Sequence, residues 1–139
     1  MTISDECTLH MFVLRDQFEE NVDKPSSAAF GNKELSVYVE GDGFQKMNLK
    51  DELIDFRNKT GKDFVGVVSL SAGVLQNRED FRFEVVHDPY PYNNRDGELI
   101  QQHSNHALVV CDKDPTGKRS ELQKMSDWSL HPRDCIDLK

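Results

Sequence analysis

The segment Phe64-Val-Gly-Val-Val-Ser-Leu70 constrains this chain more than any other part of it. It is strand-length, β-branched and apolar with little polar alternation, the pattern of an interior strand. A strand of that kind needs others beside it, and four further runs have the right length. Leu9–Leu14 is a short apolar run ended by the acidic stretch Asp16–Asp23. Leu35-Ser-Val-Tyr-Val-Glu40 alternates, with Val37 and Val39 on one face and Ser36 and Tyr38 on the other. Phe81, Phe83 and Val85 alternate with Arg82 and Glu84, and His106-Ala-Leu-Val-Val-Cys111 completes the set.

Helical spacing is confined to two places. Asn48 caps a helix starting at Leu49, with Leu49, Leu53 and Phe56 on one face and Gly61 placed to stop it. Thr116 caps a last helix whose apolar stripe is Leu122, Met125 and Trp128. Ser71–Asp80 reads as a short helix or turn. The expectation is an α+β fold, a small mixed or mostly antiparallel sheet of about five strands with two main helices. It forms a single domain over residues 1–139, with a long polar loop at Asp88–Asn105 and a loose tail from His131.

Charge narrows the partners. With 25 acidic against 17 basic residues the formal net charge is −8, a field that repels phosphate backbones and anionic membranes. Lys and Arg are scattered, with no run longer than Lys118–Arg119. Nucleic acid is therefore a disfavoured partner, and a protein with a basic surface suits this chain better. Cys7, Cys111 and Cys135 are odd in number and widely spaced, with no C-x-x-C, which reads as reduced thiols. The amino terminus lacks a basic and apolar leader, and no apolar run has the length of a membrane span. A cytoplasmic protein is expected, with no membrane partner.

Several motifs invite chemistry and fall short of it. Asp112-x-Asp114-x-Thr116 after a strand matches the nucleophile spacing of haloacid-dehalogenase phosphatases, but too little chain follows it to supply the remaining residues. Gly117-Lys-Arg-Ser120 lacks the first glycine of a phosphate-binding loop and reads as a helix start. His103-x-x-His106 has no third ligand at a convincing spacing, and a strand at His106 sends the pair to opposite faces, so no metal is expected. Ser26-Ser27 lacks the surroundings of a nucleophile elbow and reads as a polar turn anchored by buried Phe30. No cofactor site is expected.

Two blocks remain: Lys24-Pro-Ser-Ser-Ala-Ala-Phe30 with Leu35-Ser-Val37, and His87-Asp-Pro-x-Pro-x-Asn93 with Asn105-His-Ala-Leu-Val109. Together they resemble a family of short, uncharacterised bacterial proteins, the likeness running from Thr8 to Trp128. The resemblance implies that Ser27, Phe30, Ser36, Asp88, Pro89, Asn93 and His106 are the positions matching the family pattern. It also implies an accessory place beside toxin or defence modules. Arg95–His103 is an apparent insertion relative to that pattern.

The expected function is a non-catalytic protein-interaction module, an accessory or immunity-type component of such a system. Its binding surface is expected on Asp88, Tyr90, Tyr92, Asn93 and His106, together with Asp16, Glu19, Glu20 and Asp23 to steer a basic partner. The alternative is a small enzyme acting on a nucleotide-derived group, loosely of ADP-ribosyltransferase layout. In it His10 or His106 works near Ser27 and Tyr38.

Overall fold

In the computed structural model, residues 3–19, 23–31, 34–78, 83–111 and 115–135 are described. The expectations placed on Glu20, Phe81, Asp112 and Asp114, and on the side chains of Glu19 and Thr116, lie outside the described residues.

Every strand anticipated from the sequence forms: β1 (Thr8–Leu14), β4 (Glu34–Glu40), β5 (Phe64–Ser71), β6 (Phe83–His87) and β9 (His106–Cys111). Short pairs fill the connections, β2 (Phe18–Glu19) with β3 (Lys24–Pro25) and β7 (Tyr92–Asn93) with β8 (Leu99–Ile100). The helices are α1 (Leu49–Thr60), α2 (Ala72–Gln76) and α3 (Pro115–Met125), and β10 (Asp127–Leu130) follows the last. The main sheet has six strands in the order β10-β5-β1-β4-β9-β6, with every pairing antiparallel. The fold is α+β.

Strand alternation splits the core in two. Leu9, Met11 and Val13, Leu35, Val37 and Val39, and Ala107, Val109 and Cys111 meet Phe30, Leu75 and Leu122 from the 3-10 turn Ser27–Phe30, α2 and α3. Phe12, Tyr38 and Val67 point to the other face, where Leu49, Leu53 and Phe56 of α1 cover them. The Asn48 side chain accepts from the Asp51 amide at 3.1 Å, and Gly61 takes the left-handed conformation (φ 69°) that closes α1. Leu53 is fully buried and fastens α1 to the sheet.

Two expectations change. The sixth strand is Asp127–Leu130, where the sequence pattern places Trp128 on a helix stripe. Tertiary contact overrides that stripe, because Trp128 lies over Gly66, where an added Cβ would stand 3.0 Å from the indole. The Trp128 Nε1–H also donates to the Asp23 carbonyl at 2.9 Å. The segment after His131 is likewise no loose tail as far as it is described: Pro132–Cys135 is a 3-10 turn, and Cys135 is buried beside Leu53 and Phe12. No described helix is long and apolar enough to cross a membrane.

Leu53→Ala removes the residue that fastens α1 and is expected to destabilise the protein by about 2–5 kcal/mol. Val74→Ala, at a half-exposed position, is expected to change stability by less than about 0.5 kcal/mol. Urea denaturation of the two variants measures the difference, and similar losses would mean that α1 is not held by this contact.

Candidate functional site

The register of the antiparallel strands creates a polar row on the face that α1 covers. Ser69 pairs with His10, His10 with Tyr38, and Tyr38 with His106, so four adjacent strands each place one polar side chain in line. His10 and His106 are both buried, at 4% and 3% exposure, so each needs partners for its ring nitrogens.

Those partners come from strand ends and loops. His10 Nε2 lies 2.9 Å from Glu40 Oε1 and Nδ1 lies 2.8 Å from Ser129 Oγ. A carboxylate only accepts, so Nε2 carries the proton, and in the neutral ring Nδ1 then accepts from the Ser129 hydroxyl. His106 Nδ1 lies 2.8 Å from the Asp88 carbonyl and 3.3 Å from its carboxylate, which fixes its proton on Nδ1. The Asp88 amide donates back to the His106 carbonyl at 2.8 Å. Asp88 and His106 thus lock the point where the 88–105 segment leaves and rejoins the sheet.

That segment is more ordered than its polar composition suggests. The Asn94 side chain accepts from the Asp96 and Glu98 amides, Gly97 adopts φ 82°, and β7 and β8 zip into a hairpin around this turn. Asp96-Gly97 is a turn signal that the sequence offers and that a reading of the segment as a uniform loop passes over. Asn105, also buried, donates to the Gln45 carbonyl at 2.7 Å and ties the 41–47 connection to the hairpin's base.

Between hairpin and α1 lies a cleft of about 550 Å³. Phe12, Tyr38 and Phe56 line it as a mutually packed aromatic group, with Phe12 5.0 Å from each of the other two rings. Glu52, Asp55 and Lys59 of α1 line one side, and Tyr92, Arg95 and His103 the other. Glu52 and Asp55 stand three apart on one helix face, a spacing visible in the sequence but unremarkable there. Burial, reinforced by Glu52, Tyr92 and Asp55, pushes the Tyr38 phenol above its ordinary value, so it remains a proton donor.

The residues named from sequence are not one patch. Tyr90, Tyr92 and Asn93 are exposed on the hairpin side, with Pro89 and Asp88 partly covered at its base. His106 is buried and cannot touch a partner, a correction that follows from its place in the sheet row. Asp16 is exposed beyond the Leu14 end of β1, whereas the hairpin base adjoins the His10 end, so Asp16 and the loop sit at opposite ends of that strand. Asp23 is engaged internally: its carboxylate holds His131 and Arg133, contacts that keep it below the usual carboxylate range. It does not serve as a free steering charge. Ser27 and Phe30 form the 3-10 turn on the α3 face, so Ser27 is separated by the sheet from both histidines, while Ser36 is exposed on β4.

His103 and His106 do not diverge as a simple strand alternation predicts. The His106 amide closes a turn onto the His103 carbonyl, and both rings stand edge-on to Tyr38 at 5.6 Å. Among the described residues no group of three or more His, Cys, Asp or Glu side chains could hold a metal ion. Lys118, named above with the phosphate-loop match, is buried inside α3, and desolvation lowers its amine's pKa.

These features define a small α+β protein with a cleft roofed by a β-hairpin. No protein-family model, no curated protein and no solved structure matches the chain.

Burial holds the His106 imidazole below its ordinary value, although Asp88 pulls the other way and His103 adds to the lowering. The folded state therefore favours the neutral ring, and on acidification the unfolded chain takes up the proton first. The His106 contribution to stability is complete above about pH 6.5 and is lost as pH falls through the lower folded value. Denaturation profiles are expected to decline from about pH 6.5 downward, less steeply in His106→Gln. At neutral pH His106→Ala is expected to cost on the order of 1–3 kcal/mol. A His106→Gln profile superimposed on the parent's would exclude this ring as the source.

Proposed function

We propose that the protein is a non-catalytic interaction module that docks a basic protein partner on the β6 edge and the hairpin beside it. The observation that carries this reading is where apolar surface is exposed. Among the described residues the large exposed apolar side chains are Val86, Tyr90, Tyr92 and Leu99 on this one stretch, and Val74 elsewhere. Folded monomers rarely gather such side chains without use, and tyrosines give large contact area at low entropic cost. β6 is also the terminal strand of the sheet, and no described strand pairs with its outer edge. Residues 84–100 carry four carboxylates and one arginine, which favours a basic partner and speeds its approach. An accessory or immunity-type role in a bacterial toxin or defence system is the setting that the family resemblance supports.

A second reading, an enzyme acting on a nucleotide-derived group, is favoured by the alignment of His10, Tyr38 and His106. Against it, both imidazoles are buried and His10 has both ring nitrogens occupied by protein partners.

In-cell cross-linking with mass spectrometry is expected to place a basic partner on residues 84–100. Tyr90→Ala with Leu99→Ser is expected to weaken that complex at least about tenfold, as for loss of interface anchors, with the melting temperature unchanged. Association is expected to slow as salt rises. Cross-links confined to other surfaces, or full binding by the double variant, would overturn the proposal.

A further inference from the structure

The cleft under the hairpin has features that a protein-docking face does not need. Its volume of about 550 Å³ lies within the range of sites that enclose small molecules. Tyr38 is 6% exposed, and its ring contacts are all edge-on or tilted aromatic ones. Its hydroxyl has no hydrogen-bond partner among the described residues, yet the residue lines the cleft and feels Glu52, Asp55 and Tyr92 across it. The Tyr38 hydroxyl reaches solvent within the cleft, where an acceptor seated there can take its proton in a hydrogen bond.

We propose that this cleft binds a purine nucleoside monophosphate. Phe12, Tyr38 and Phe56, mutually tilted and largely covered, contribute a narrow apolar floor against which the edge of a flat bicyclic base packs. Tyr38 donates to a ring nitrogen or carbonyl of the base, and the Glu52 carboxylate accepts from its exocyclic amino group. Two cations at the cleft, Lys62 and Arg95, have no ion-pair partner among the described residues and are placed to take the phosphate, while Lys59 is already engaged by Asp55 at 3.0 Å. The net charge of −8 opposes an anion at long range, but at physiological ionic strength fields are screened over about 8 Å. Locally, Lys59, Lys62 and Arg95 outnumber Glu52 and Asp55 along the cleft, which leaves its lining favourable to a phosphate.

The cleft shares Tyr92 with the docking face, but Tyr90 and Leu99 do not line it, so variants at those two residues separate the two roles. Isothermal titration of the full chain with AMP, GMP, adenosine, guanosine and inorganic phosphate tests the assignment. One of the two nucleotides is expected to bind saturably at one per chain, at least about tenfold more tightly than its nucleoside or phosphate alone. Tyr38→Phe keeps the ring packing and is expected to weaken binding about five- to tenfold, the loss of one hydrogen bond. Lys62→Ala with Arg95→Ala, at surface positions, is expected to weaken it at least about tenfold and flatten its salt dependence. Tyr90→Ala with Leu99→Ser is expected to leave it unchanged. The proposal is overturned if neither nucleotide binds at millimolar concentration to folded protein, if phosphate alone binds as well, or if both cleft variants bind like the parent.

Discussion

The register that sets Ser69, His10, Tyr38 and His106 side by side across four strands governs the rest of this structure. Slipping any one of these strands by a single residue would turn its polar member into the opposite core and bring an apolar residue out. A row of polar groups buried on one face is unfavourable until every nitrogen and oxygen in it finds a partner. Glu40 comes from the strand end, Ser129 from the distant edge strand β10, and Asp88 from the root of the hairpin. Satisfying the row therefore ties the edges and loops of the sheet to its centre. Tyr38 is the member whose hydroxyl is left for the cleft.

The hairpin inherits its position from that arrangement. It leaves the sheet at Asp88 and returns at His106, and these two residues exchange hydrogen bonds, so its base is fixed while Asn94 and Arg95 near its tip line the cleft opposite α1. One wall then serves two surfaces. Tyr90 and Leu99 look outward, and Tyr92 lines the cleft while remaining 44% exposed. A molecule seated in the cleft would contact the same hairpin that meets a partner, which joins the two proposed roles through Tyr92 rather than through any long-range path.

Much of the architecture is legible in the sequence because it rests on local rules. Asn48 and Gly61 bound α1 through backbone chemistry available to any helix, and Phe64–Ser71 announces its interior place by composition. The hairpin turn was readable from Asp96-Gly97. Trp128 shows the limit: its spacing fits the stripe of Leu122 and Met125, yet it leaves the helix because Gly66, far away in sequence, leaves room for the indole. Asp23 shows another, since a carboxylate in an acidic run reads as free charge until His131 and Arg133 fold back onto it.

By itself, then, the sequence determined five of the six strands of the main sheet, the helices α1 and α3, which face of each is apolar, and that the net charge is acidic. Those properties follow from side-chain periodicity and residue type, and they need no knowledge of neighbours. The tertiary structure alone decided that His10, Tyr38 and His106 form a row, and that Glu52 and Asp55 face Arg95 across a cleft. Each of these depends on strand order and on contacts between residues far apart in the chain, where the free energy of pairing is set by partners that no local pattern specifies.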